Sequence, residues 1–314
     1  MPKRGKICAF VFAALILTVF LGYWRLSRTQ GGQSAANTDT PSYETTAKRD
    51  LLALLLAYPD EIKDLIREKD NIFLIMKSGR KIIYDDKKQK SFEQKLAAAD
   101  LQDMLEQLYP LSDINELNQG NFDPGRIRAY DFLKEVSGAA QKQISANLIG
   151  VPLGSTNLPF NKNNNAAGSL KAAFGEILKL VSSNPEIYSH IYPIGGTYNY
   201  RFIAGTGLLS PHAFGIAIDL KSDKYGYWRW ATKAQGQGCL NSFPRELVRI
   251  FEQNHFIWGG KWAHFDIFHF EYRPELIIKA KYYAGDGEIE PWYLGFPDTD
   301  LVRSCIEKIE RVFE

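Results

Sequence analysis

Between Ile7 and Trp24 the chain is uncharged and largely apolar (ICAFVFAALILTVFLGYW), long enough to cross a bilayer as one helix. Lys3, Arg4 and Lys6 precede this run and favour a cytoplasmic amino terminus, although Arg25 and Arg28 follow it. Gly22-Tyr23-Trp24-Arg25 lacks the small residues of a cleavage site, so a retained anchor is expected; a removed signal would be cut near Ser34-Ala35-Ala36. Small and polar residues fill 31–44, as in a tether. From Thr46 the leucines at 51, 52, 54, 55 and 56 predict a helix that breaks at Pro59, and Ile62, Leu65 and Ile66 continue an apolar stripe at helical spacing. Ile72 to Met76 and Lys81 to Tyr84 read as a hairpin turning at Lys77-Ser78-Gly79-Arg80. Ser91 with Gln94 forms a capping box for a helix through Leu108, stopped by Pro110, and the lysines at 87, 88 and 90 read as a solvated turn.

Further along, Asp123-Pro124-Gly125 is a turn, Ile144 to Val151 a strand, and 154–168, rich in Gly, Asn and Pro, a loop. Ser169 to Val181 is predicted helical, as is Phe243 to Asn254 with Pro244 in its first turn. From Ile191 aromatic and polar residues alternate among glycines, Phe268 to Arg273 reads as a strand, and 298–314 as an amphipathic helix. There is no regular βαβ rhythm. The pattern therefore predicts an α+β fold in which a small antiparallel sheet is flanked by helices.

Charge removes one function class. Five of the 38 basic residues lie in the first thirty, which hold no acid, so 33 remain against 36 acidic residues. A remainder of about −3 is not the basic surface that phosphate neutralisation demands, and nucleic-acid binding is not expected. Three cysteines are too few for a disulfide scaffold. Cys8 lies in the apolar run, while Cys239 and Cys305 are open to pairing or to service as small core residues.

The candidate chemistry lies in two clusters. His212 opens His212-Ala213-Phe214-Gly215-Ile216-Ala217-Ile218-Asp219, where Ala217, Ile218 and Leu220 predict a buried strand with an acid at its end. Such an acid needs a cation or hydrogen bonds, and Gly215 allows the turn that would bring His212 and Asp219 together. The spacing alone also occurs without a metal. In the second cluster (WAHFDIFHFEYR, from Trp262), alternation puts His269, Glu271 and Arg273 on one face and Phe268, Phe270 and Tyr272 on the other. Asp266 precedes the strand. Glu271 is open to two readings, a partner of His269 or an exposed strand charge. His190, His255 and His264 have no convergent partners in sequence. No Gly-x-Ser-x-Gly elbow, Cys–His nucleophile context or phosphate-binding glycine motif is present.

SPHAFGIAID followed by DIFHFEY resembles the zinc signature of VanY-type D-alanyl-D-alanine carboxypeptidases and the related L-alanyl-D-glutamate peptidases. The resemblance implies Zn2+ held by His212, Asp219 and His269, with Asp266 as catalytic base. It is similar in Gly196-Thr197-Tyr198-Asn199-Tyr200-Arg201, where it implies that Arg201 assists the reacting carbonyl or the substrate carboxylate. Ser210 is open to substrate binding or to shaping the turn before Pro211. Phe256 to Trp262 resembles the family's lead into the second cluster, and Asp123 to Arg128 matches more loosely. The implied reaction is zinc-dependent hydrolysis of peptidoglycan stem peptides, in the first instance release of terminal D-Ala. The Asp at 266 resembles the L-alanyl-D-glutamate branch, which makes endopeptidase action the alternative. A non-catalytic zinc-containing binding domain is a further one, opposed by the retained carboxylate. The expected organisation is a cytoplasmic tip and anchor (1–30), a linker (31–44), a mainly helical extension (45–145) and a zinc peptidase domain (146–314). Such a chain is a single-pass protein of the cell membrane with its catalytic domain outside the cytoplasm.

Overall fold

The computed structural model describes residues 41–282 and 290–314. The apolar run at 7–24 and most of the tether lie outside the described residues. Among those described, no helix is long and apolar enough to cross a membrane. Ser42 opens the described fold, its hydroxyl oxygen accepting the Thr45 amide at 3.1 Å to cap α1 (Tyr43–Ala57). Tyr43 and Glu44 thus belong to the helix and not to the tether. Leu51, Leu52, Leu54 and Leu55 are all buried, because α1 is covered on several sides, among them by the helices at Pro274–Lys281 and Asp300–Phe313.

The stripe from Ile62, expected as a helix, is strand β1 (Ile62–Glu68), paired antiparallel with β2 (Asn71–Met76), which pairs with β3 (Lys81–Ile83). The reason is local. The register shifts between Ile62 and Asp64, and this bulge turns both Ile62 and Leu65 inward although they stand three apart, a spacing that imitates a helix. The helix expected from Ser91 to Leu108 is two: α2 (Phe92–Ala98), with the predicted capping box, and α3 (Leu101–Leu105). Asp100 divides them by capping the second, accepting the Asp103 amide at 2.8 Å. Lys90 is not in a solvated turn: its Nζ lies 3.0, 2.9 and 2.6 Å from Asp86, Asp100 and Asp103. Lys87 and Lys88 are exposed.

After α4 (Tyr130–Ser137) and α5 (Gln141–Ala146) comes a hairpin of β4 (Leu148–Leu153) and β5 (Thr156–Asn161). The second strand falls in the stretch expected to be a loop; its Pro159 is tolerated because a two-stranded ribbon consists only of edges. The long α6 (Ala166–Ser183) and short α7 (Tyr188–Ile191) lead towards the site. It is carried by α8 (Pro211–Phe214), β6 (Ala217–Asp219), α9 (Lys233–Ser242), α10 (Arg245–Gln253), β7 (Phe256–Trp258) and β8 (His269–Tyr272). The chain ends with α11 (Pro274–Lys281) and α12 (Asp300–Phe313). Helices and small antiparallel sheets are mixed as the sequence pattern predicts.

The site sheet has the order β6-β8-β7, antiparallel throughout. Phe270 of β8 stacks on Phe251 of α10 at 4.1 Å and lies 6.4 Å from Trp258, so one face of the strand is anchored in aromatic core. Residues 41–314 form one compact unit. Bonds cross the expected boundary at 145/146: Arg128 to Glu271, and Trp262 to the Pro124 carbonyl. Cys239 and Cys305 are both free.

Candidate metal centre

The site follows from strand register. Asp219 ends β6 directly opposite His269, the first residue of β8, so the two side chains are cross-strand neighbours. His212 is brought to them by a four-residue helix with Ser210 as N-cap and Pro211 as first residue. The Ser210 hydroxyl oxygen accepts the His212 amide at 3.3 Å, and Ser210 is buried. Its oxygen thus shapes the turn that presents the histidine. Gly215 ends the helix at φ +70, and a Cβ there would meet Leu148 Cδ2 at 2.6 Å. Only glycine takes this turn without strain.

One donor atom from each of His212, Asp219 and His269 lies within 4.8 Å of the others. His212 Nδ1 donates to the Thr197 carbonyl at 2.6 Å, which leaves Nε2 facing inward, 3.2 Å from Asp219 Oδ2 and 3.2 Å from His269 Nδ1. His269 Nδ1 is 2.8 Å from Asp219 Oδ1, and its Nε2 donates to Glu271 Oε1 at 3.0 Å. Both imidazoles therefore have their outer nitrogen fixed by a neighbour and their inner nitrogen turned towards the carboxylate. That is how histidines are held when the inner atom ligates a metal. Two nitrogens and a carboxylate oxygen suit Zn2+, with a further position left open to solvent or substrate. Donor atoms this close are held together by positive charge, a shared proton or a cation. Burial alone would raise the Asp219 carboxyl, yet hydrogen bonds and charge from His212 and His269 hold it well below the usual carboxylate range. Burial likewise opposes protonation of His269, but hydrogen bonds to Asp219 and Glu271 push its pKa up to about 10.

Glu271 is not an exposed strand charge. It is fully buried, as is Arg273. Arg128 bonds both Glu271 oxygens, with Nε at 3.2 Å from Oε2 and Nη2 on Oε1, while Arg273 Nη1 lies 3.8 Å away. Burial works against the ionised carboxylate, and Arg128 and His269 overcome it, holding its pKa well below the usual range. Arg273 continues to Glu275, which accepts from Tyr58 at 2.6 Å. A buried chain of alternating charge thus runs from α1 to the His269 imidazole.

Asp266 sits on the approach to β8, partly buried, with its carbonyl accepting the His269 amide at 3.2 Å. Burial pushes its carboxyl up to about 7; Asp219 adds to the rise, and His269 and His212 oppose it. Gly259 fixes its backbone, accepting the Asp266 amide at 3.0 Å, and a Cβ on Gly259 would stand 2.7 Å from the Asp266 carbonyl oxygen. The Phe256 to Trp262 segment serves this placement. Trp258 Nε1 donates to the Ile267 carbonyl at 2.7 Å, buried Lys261 is held by Glu252 at 2.5 Å and the Pro110 carbonyl at 2.6 Å, and Trp262 donates to the Pro124 carbonyl at 2.8 Å.

Arg201 is exposed and engaged through its backbone, its carbonyl accepting the Ser210 amide at 3.0 Å. The remaining histidines stand apart. His264 bonds Asp123 at 2.6 Å, His190 lies edge-on to Phe243, and His255 is at φ +67 just before β7. A second acidic group, Asp85, Asp86 and Asp100, has Lys90 on two of its members. Sequence reasoning missed Thr197 and Arg128: a backbone carbonyl and a cation 143 positions from its partner have no local signature.

No curated protein and no solved structure matches the chain. A family model described as D-alanyl-D-alanine carboxypeptidase matches residues 204–272, so the stretch carrying His212, Asp219, Asp266 and His269 bears that family's signature and supports a peptidoglycan-related metallopeptidase activity.

Proposed function

We propose that the chain is a membrane-anchored, zinc-dependent peptidase that releases the terminal D-Ala of peptidoglycan stem peptides outside the cytoplasm. The observation that carries this reading is the convergence of His212, Asp219 and His269 within 4.8 Å, inside the matched segment that also holds Asp266. Zinc, when bound, supplies a Lewis acid that polarises the peptide carbonyl and makes water a competent nucleophile near neutral pH. His212 and His269 would hold it through Nε2 and Nδ1, and Asp219 through its carboxylate. Asp266 takes the proton of the attacking water on a carboxylate oxygen and returns it to the leaving nitrogen, a role worth roughly 10²–10⁴-fold. A divalent cation nearby favours the ionised form that this role needs. Arg201, exposed and without an ion pair among the described residues, offers its guanidinium to the terminal carboxylate or to the developing oxyanion.

The test compares a stem pentapeptide with its C-terminal amide, read by mass spectrometry. A carboxypeptidase loses most of its activity on the amide, because the group that receives the carboxylate is left unpaired. Indifference to amidation, with release of a fragment beginning at D-Glu, would instead assign L-Ala-D-Glu endopeptidase action. If the zinc-loaded chain cleaves neither peptide, the non-catalytic binding domain is the surviving reading. The anchor is tested separately: the full chain should stay with membranes after a carbonate wash, and a mature form beginning after Ala36 would contradict it.

A further inference from the structure

The segment Lys221 to Lys233 (KSDKYGYWRWATK) carries no ligand and no part of the proposed mechanism, yet it lies against the residue that does the proton transfer. Its backbone pairs with the segment around Asp266: Tyr227 bridges Asp266, the Trp228 amide donates to the Phe265 carbonyl at 3.0 Å, and the Ile267 amide to the Gly226 carbonyl at 2.9 Å. Trp230 is 72% exposed, the most exposed of the large apolar side chains among the described residues. It is nonetheless held in place, edge-on to Tyr227 with ring centroids 5.0 Å apart. Trp228, half-buried, lies edge-on to the His264 ring with centroids 4.6 Å apart, with the Arg229 guanidinium over its face at 5.2 Å. Lys221, Lys224, Arg229 and Lys233 are exposed, against the single acid Asp223. A second exposed aromatic, Phe202, stands on the hairpin that leads to Ser210 and His212, where it bridges Leu209.

An exposed indole held by a neighbouring ring, on a segment with several exposed cations, offers a flat apolar face and positive charge on one surface. Its flat face accepts the C–H face of a sugar ring, and the surrounding cations suit a polymer that carries carboxylates. We propose that Trp230, with Arg229 and the flanking lysines, forms a subsite for the sugar-bearing, anionic wall polymer beside the bond to be cut. This deepens the reading under Proposed function and rests on it for the identity of the polymer. Binding energy gathered here, away from the reacting atoms, would hold the stem peptide at Asp266.

The experiment is co-sedimentation of the full chain, in mild detergent, with purified insoluble peptidoglycan, which requires no turnover. Trp230→Ala should weaken binding by about tenfold or more, and Trp230→Tyr, which keeps a flat ring, should recover most of it. Trp230→Ala pelleting like the unaltered chain would overturn the proposal, whether or not stem peptides are cleaved. So would binding to anionic lipid vesicles, but not to wall polymer, that is lost in Trp230→Ala. Trp230-dependent binding without any cleavage of wall peptides would uphold the subsite and defeat the peptidase reading, so the two fail separately.

Discussion

Glu271 shows how much of the candidate site depends on a residue outside the three candidate ligands. It fixes the tautomer of His269 and is itself held ionised in the interior by Arg128 and His269. Glu271→Gln keeps the shape but removes the charge, leaving the buried Arg128 guanidinium without its carboxylate, a strongly destabilising arrangement. The expected outcome is zinc affinity lower by about 10–100-fold in a chelator competition, together with a lower Tm. Unchanged affinity would show that His269 is oriented without it. The sequence carried half of this. Strand alternation put Glu271 on the face of His269, but nothing local distinguishes a buried carboxylate from an exposed one when its cation comes from residue 128. Asp219 and His212 were legible because Gly215 and the apolar strand between them are local features.

At the scale of elements, short pieces are held by specific contacts more than by propensity. Asp266, the proposed base, sits on a loop, and that loop keeps its course because Gly259 lies against the Asp266 backbone. Gly259→Ala should push this backbone away while leaving the three candidate ligands in place. The predicted result is near-normal metal content with kcat lower by roughly tenfold to a hundredfold, since small displacements of a reacting group are costly. Equal turnover would mean that the loop yields without moving the carboxylate. The same principle explains where reading the pattern failed. β1 looked helical because a bulge changed the spacing of its buried residues, and β5 was hidden among Asn, Pro and Gly because a two-stranded ribbon needs little apolar alternation. The helices α6, α10 and α12 were legible, since each buries one continuous face, and strand β8 because its aromatic and polar residues alternate although both faces are buried.

Across the whole molecule, the matched segment 204–272 is not self-sufficient. Arg128 reaches Glu271, Thr197 orients His212, Trp262 and Arg273 bond the carbonyls of Pro124 and Gly125, and Tyr58 closes the charge chain from α1. Residues of the expected extension, Tyr58, Pro124, Gly125 and Arg128, thus bond to the strand and loops that carry the candidate site, which sequence spacing does not reveal because the contacts are long-range. The most direct test of the account is the metal content of the purified full chain and of four single variants. About one zinc per chain is predicted for the unaltered protein, with loss of metal and activity in His212→Ala, Asp219→Ala and His269→Ala. Asp266→Asn should retain its zinc with kcat lower by roughly 10²-fold or more. Full zinc occupancy in all three ligand variants would contradict the assignment.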